Sequence, residues 1–391
     1  MSGWAGRERS GEVDALRCFA MLSVMALHAH LLPLGWIGVW LFYVISGYVV
    51  TLTVLSRRTT GGSDRPLVDF LRRRSARILP LYYGYLCVGL VVAAVSGLRQ
   101  DGLSIASLAL FFDNLTVITG QGHIAGWPSG HLWTLSVEMQ FYVVYGCALC
   151  LLPARTTRRL LVAFLMLCPL ARLALGLWLD GAHWAPLDAA FAVYVAPGLH
   201  FDIFAMGSLL AFASVEGTLP RLARPIAALG LAVLLLYAGS YCAINLLGRG
   251  AHGTAIIRNV VSGILFGEHR EAFVYSAVGL AMTGLVALAA SGDRLVTPLL
   301  RLRPLQRIGE ISYGGYVYHQ LGLGAAAALL ARVGVVARHG SILAHSLELL
   351  IGVALTLILA EASFRWLETP CRRLLSAGIR HRAAPLLAPT T

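Results

Sequence analysis

A chain of 391 residues that is 58% hydrophobic and 13% charged, with a mean hydropathy of +0.73, lies far from the roughly 25% charged composition of soluble domains, which excludes an ordinary water-soluble enzyme. The formal net charge of +12 does not point to nucleic acid, because all 31 Lys+Arg positions are arginine and these cluster at the ends of apolar runs, the pattern of membrane topology. The seven cysteines show no disulfide framework, and Cys147 and Cys150, a lone C-x-x-C in an apolar helix, read as small buried hydrophobes.

The polar, basic N-terminal segment leads into an apolar run that exceeds a signal-peptide core and has no obvious cleavage site, so it reads as a retained first span. Runs of about 20 apolar residues are long enough to cross a hydrocarbon core of about 30 Å. They predict ten helices at approximately 14–34, 36–56, 77–97, 131–153, 159–179, 189–213, 223–246, 272–291, 311–331 and 342–367. The fold class is therefore an all-α, polytopic transmembrane helix bundle. The stretch 104–119, interrupted by Asp113 and Asn114, is expected as a short interfacial helix. With the N-terminus in the cytoplasm, alternate loops carry most arginines, among them Arg57, Arg58, Arg65, Arg72 to Arg74 and Arg77. Positive-inside bias then predicts ten spans with both termini cytoplasmic, in the inner (plasma) membrane. Loops 98–130 and 247–271 fall outside and are candidates for a lid or acceptor site. Residues 1–376 are expected to form one membrane domain and 377–391, with Pro385 and Pro389, a disordered cytoplasmic tail. No internal repeat of the transporter kind is visible.

Ionisable residues inside a bilayer cost several kcal/mol unless paired or solvated, so they are the informative positions. The first predicted span holds Asp14, Arg17 and His28. Arg17 and His28 return almost to one helix face about 16 Å apart, too far to touch but able to line one groove. Arg17 also reads as a topogenic anchor paired to Asp14, and His28 as a packing histidine. Arg74 and Arg77 are neighbours on one face at the start of the third span and are able to grip phosphate; a cluster facing anionic lipid is the alternative. Depth arithmetic brings Glu138, in the fourth span, level with His28 at about 20 Å above the inner boundary. A His28–Glu138 pair would fix the imidazole tautomer and leave the other nitrogen to take a proton from a hydroxyl. Tyr316 and His319 in the ninth span shape a site or serve as interhelical bonds, and His200 and Asp202 are equally open.

The segments VDALRCFAMLSVMALHAH, IGVWLFYVISGYVV, FLRRRSARILPLYY, HLWTLSVEMQFYVVYG, FDIFAMGSLLAF, ISYGGYVYHQ and SFRWLETPCRR, taken in order, resemble the acyltransferase 3 family of membrane O-acyltransferases. The resemblance implies that Arg17 and His28 are essential, that Arg74 and Arg77 form its paired-arginine motif, and that Ser46, Gly47 and Tyr48 stand for its S-G-F. Trp133, Thr134, Leu135 and Glu138 stand for its W-S-L-x-x-E. Trp40 departs from the family, which commonly has Asp there. The chain ends soon after the last span, without the esterase-like domain of some members, and is expected to complete transfer within the bundle.

The function expected from residues and resemblance together is transfer of an acyl group, commonly acetyl, from acyl-CoA to a hydroxyl of a cell-surface or exopolysaccharide glycan or its lipid-linked precursor. His28 and Glu138 are the expected catalytic residues, Arg17, Arg74 and Arg77 bind the donor's phosphates, and no metal or nucleic acid is involved. O-acylation of a secondary metabolite such as a macrolide, and proton-coupled transport, are the alternatives.

Overall fold

The computed structural model describes residues 10–59, 65–248, 250, 253, 256, 269–335 and 341–376. The expected tail 377–391 and most of loop 247–271 lie outside the described residues. Among the described residues there are helices and turns and no strand. The longer helices are α1 (Gly11–His28), α2 (Ile37–Thr59), α3 (Pro66–Val95), α4 (Trp133–Leu151), α5 (Ala154–Gly181), α6 (Pro186–Val195), α7 (Phe201–Val215), α8 (Leu219–Ala243), α9 (Val274–Ser291), α10 (Ser312–Arg332) and α11 (Ile342–Ser363). Seven helical stretches, those of α2 to α5, α8, α9 and α11, are long and apolar enough to cross a membrane, and α6 and α7 are shorter apolar helices. The protein is a multi-pass helical bundle.

Two expected boundaries move. The first helix stops at His28 rather than at residue 34, because His30 takes a left-handed conformation (φ 58) and Pro33 follows, so the chain turns before entering α2. The expected sixth helix, 189–213, is two helices. Pro197 cannot continue α6 and Gly198 sits at φ +75, a backbone angle that glycine adopts freely. A break inside apolar surroundings frees carbonyls that must find donors. His200 Nε2 takes up Tyr194 O at 2.8 Å and Arg172, from α5, takes up Leu199 O. Arg172 also meets Asp202 through two parallel bonds of 3.0 and 2.8 Å, and Ser276 of α9 donates to the same carboxylate at 2.6 Å. Both members of this ion pair are fully buried. Asp202 is therefore paired with Arg172, an arginine within an apolar run that the sequence reading passed over, and His200 with the backbone carbonyl of Tyr194.

The stretch 104–119 is a short helix, Gly102–Ala109, then a turn of helix, Asp113–Thr116, and a 3-10 turn, in agreement with an element that does not span. Asp113 is nonetheless buried, and Ser136 of α4 donates to its carboxylate.

The bundle closes around α1, which packs on α2, α9, α10, α11 and the short helix Arg303–Glu310. The α2–α7 crossing is close: a Cβ on Gly47 would collide with the carbonyl of Phe204, and one on Gly207 with that of Val44. Small residues allow such backbone approach in lipid, where dispersion rather than water exclusion holds helices together. At the periphery α5 and α8 bury only 22% and 11% of their apolar windows, so their side chains form the lipid-facing rim.

Candidate active site

Three of the expected donor-binding residues converge. Arg17 of α1, Arg74 and Arg77 of α3, Glu138 and Tyr142 of α4, Ser46 of α2 and Tyr313 of α10 line a cleft of about 690 Å³. The spacing of three places Arg74 and Arg77 on the same face of α3. Arg72, on a different face, donates to Leu375 O near the end of the described chain. Arg17 is buried and ion-paired with Asp14, one turn earlier, and it also lines the cleft. Among the described residues neither Arg74 nor Arg77 makes an ion pair; the Arg74 guanidinium carbon lies 5.9 Å from the Tyr142 ring centroid. Two arginines that form no ion pair, in a cleft that Glu138 also lines, present guanidinium groups of the kind that bind anions.

The His28–Glu138 pair does not form. The Glu138 carboxylate accepts from Ser46 Oγ at 2.5 Å and from Tyr142 OH, and it faces the arginine cleft. His28 lines a different cavity. Depth arithmetic places residues at one level but carries no information on azimuth, and α4 turns Glu138 toward α2 and α3.

That second cavity, about 1120 Å³, is lined by His28, Trp36, His131, Trp133, Phe191, Tyr194 and Gln320, among others. His28, the last residue of α1, is exposed to it, whereas His131 and His319 are buried. The three rings form a row, with His28 and His319 centroids 5.0 Å apart and His319 and His131 4.7 Å apart. His131 Nε2 bonds Val317 O at 3.1 Å and His319 Nδ1 bonds Tyr316 O at 2.6 Å. Trp40, where the family carries Asp, is fully buried and stacks on Tyr194 at 5.4 Å and 7°, so it packs behind one wall of the chamber.

The two cavities share Val39, Thr134 and Tyr316 as lining residues. Thr134 Oγ1 and Tyr316 OH are 2.6 Å apart, and Tyr43 OH donates to Thr134 O at 3.3 Å. A hydrogen-bonded partition one or two side chains thick thus separates an arginine-lined cleft from an aromatic chamber with an exposed imidazole. The sequence reading named Thr134, Tyr316 and His319 without giving them this arrangement. It passed over Tyr43, Tyr142 and Tyr194, whose only signal is an aromatic side chain with a polar tip inside a span.

The bundle thus sets an arginine cleft and an exposed histidine on either side of one partition. The chain matches the acyltransferase 3 family, an acyltransferase domain, over residues 10–362 and belongs to that family. It is similar to the O-acetyltransferase OatA of Staphylococcus aureus (strain NCTC 8325 / PS 47), with 24% identity over 92% of this chain and 57% of that protein. It is also similar to the peptidoglycan O-acetyltransferase OatA of Listeria monocytogenes, with 25% identity over 92% of this chain and 55% of that protein. A putative membrane-bound transacylase, BcsY of Komagataeibacter xylinus, is 35% identical over 40% of this chain and 42% of its own. The chain spans little more than half the length of the two OatA proteins. No solved structure matches it.

Proposed function

We propose that the protein is an O-acyltransferase that takes an acyl group, acetyl in the first instance, from acyl-CoA in the arginine cleft and delivers it to a glycan hydroxyl in the histidine chamber. The observation that carries this reading is the shared partition at Val39, Thr134 and Tyr316, which sets an anion site and a candidate base on opposite sides of a thin wall. The fit of the donor rests on Arg74 and Arg77, which would hold its phosphates with Arg17 beside them. Glu138 acts on the donor side, fixing Ser46 and Tyr142, and not behind His28. The chamber's Trp36, Trp133 and Tyr194 offer the broad apolar faces on which a sugar ring lies, and Gln320 offers an amide for its hydroxyls. The similarity to the OatA O-acetyltransferases, one of which is a peptidoglycan O-acetyltransferase, supports a cell-surface glycan.

In the reaction His28 accepts the proton of the acceptor hydroxyl as its oxygen attacks the thioester carbonyl. The tetrahedral intermediate collapses, the C–S bond breaks, and the thiolate of CoA leaves and takes up a proton, while the new C–O bond becomes the ester. In this reading the donor cleft faces the cytoplasm and the chamber the opposite side, with ten crossings, both termini cytoplasmic and the plasma membrane as the location, and the arginine-rich loops support it.

The test is release of free thiol by the purified protein from acetyl-CoA with an extract of cell-envelope glycans. His28→Ala is expected to reduce the rate to background while the protein keeps its unfolding temperature. A folded His28→Ala variant with the parent's rate overturns the assignment, and glycans from a deletion strain that keep their O-acyl groups overturn the acceptor.

A further inference from the structure

The row of three histidines contains an acceptor with no hydrogen-bond partner among the described residues. A backbone carbonyl only accepts, so the 2.6 Å bond between His319 Nδ1 and Tyr316 O places the hydrogen on Nδ1. In the neutral ring Nε2 then carries a lone pair. His319 is fully buried and its Nε2 has no hydrogen-bond partner. The rings beside it are His28, His131 and Tyr316, none of which is a carboxylate that would pair with an imidazolium. The same reasoning puts the hydrogen of His131 on Nε2, bonded to Val317 O, and leaves its Nδ1 as a second orphan acceptor. Neither of these two rings donates to the other, so the only imidazole in the row with an N–H to give is His28.

The distance fits. Two imidazoles joined by one N–H···N bond have centroids about 5 Å apart, and His28 and His319 stand at 5.0 Å with a 41° tilt. His28 is exposed on its chamber side, which leaves its ring free to turn. Among the described residues no group of three His, Cys, Asp or Glu forms a metal-sized set, so the row does not read as a ligand cluster.

We infer that His319 is a positioning residue for His28: its Nε2 accepts the inward N–H of His28, which fixes that ring's tautomer and presents the other nitrogen to the chamber as a free base. This rests on the reading of His28 as the base, and it gives to a neutral imidazole the orienting part that a carboxylate plays in other triads. The backbone bond to Tyr316 O in turn fixes His319, so the order runs from a carbonyl through two rings to the acceptor hydroxyl.

Two substitutions separate this role from packing. In His319→Asn the amide nitrogen overlays Nδ1, keeps the bond to Tyr316 O and leaves nothing at Nε2. In His319→Gln the amide oxygen reaches the Nε2 position and accepts there. On the full-length protein in detergent, diethylpyrocarbonate is added and carbethoxylation of His28 is followed by peptide mass spectrometry, alongside kcat and KM for thiol release from acetyl-CoA. His319→Asn is expected to slow His28 modification and kcat by about tenfold or more with KM within about twofold, while His319→Gln stays within about threefold of the parent on both. An Asn variant with the parent's His28 reactivity, or Asn and Gln variants that lose it equally, overturns the inference. The reactivity readout does not require His28 to be catalytic: if it follows the Asn and Gln pattern while His28→Ala still releases thiol, the contact stands and the base role falls.

Discussion

Replacement of Arg172 by methionine is expected to destabilise the bundle by about 3–5 kcal/mol, because it leaves the Asp202 carboxylate buried with a single hydroxyl for company. The structure fixes the terms of this figure. Both side chains are wholly inaccessible, the pair is bidentate, and Arg172 also holds Leu199 O at the break between α6 and α7. Asp202→Leu alone leaves the guanidinium uncompensated and is expected to cost a similar amount. The double variant Arg172→Met with Asp202→Leu removes both charges, and apolar replacement of a buried pair is often close to neutral, so it is expected within about 2 kcal/mol of the parent. The cycle therefore predicts a coupling of several kcal/mol. Cys18, Cys150 and Cys168 are buried free thiols, so a thiol-reactive dye reports unfolding of the purified protein in detergent. A single Arg172→Met variant that loses less than about 1 kcal/mol, or a double variant whose loss equals the sum of the singles, refutes the reasoning.

Arg74→Ala and Arg77→Ala each remove charge-assisted bonds worth about 1.5–3 kcal/mol, so each is expected to raise KM for acetyl-CoA by roughly tenfold to a hundredfold; an unchanged KM argues that the cleft does not hold the donor. Tyr194→Ala is expected to raise the KM of a glycan acceptor and leave that of acetyl-CoA unchanged, measured by thiol release at varied concentrations of each. Gly47→Leu places a side chain against the Phe204 carbonyl and is expected to prevent accumulation of folded protein, read as loss of a monodisperse peak on size exclusion. Burial pushes the Asp113 carboxyl up to about 7. A carboxyl raised above its unfolded value stabilises the fold most below about pH 4 and loses that contribution as pH climbs toward 7. Asp113→Asn is therefore expected to flatten the stability profile between those values in thermal unfolding at stepped pH.

Helical regions were legible because a lipid solvent demands uninterrupted apolar runs: nine of the ten expected regions each meet one helix, and the tenth, 189–213, meets two. The break at Pro197 and Gly198 carried a local signal, but the apolar residues on both sides hid it. Its partner Arg172, in the apolar middle of α5, was an intramembrane charge whose counterion on another helix no spacing rule could supply. For the site, the arginine face of α3 and the residues Arg17 and His28 were legible from periodicity and motif. The pairing of His28 with Glu138 was not, since matching depth leaves the rotation of each helix open, and α1 ends at His28 itself. Trp40 shows the same limit: its identity was plain, and its place behind Tyr194 required the packing of α2 against α6 and its neighbours.

Two of the three rings in the row, His28 and His319, stand on helices that lipid would not accept on their own. Neither α1, with Glu12, Asp14 and Arg17 in its 18 residues, nor α10, with three tyrosines, a histidine and a glutamine near its start, is among the seven stretches apolar enough to cross unaided. A charged residue at the centre of a span costs about 2.5–3.5 kcal/mol during insertion. These two helices touch one another and are wrapped by the rest of the bundle, yet they lie at opposite ends of the chain. Because α1 precedes α10 in the chain, its polar face is covered by α10 only once the helices between them have been made.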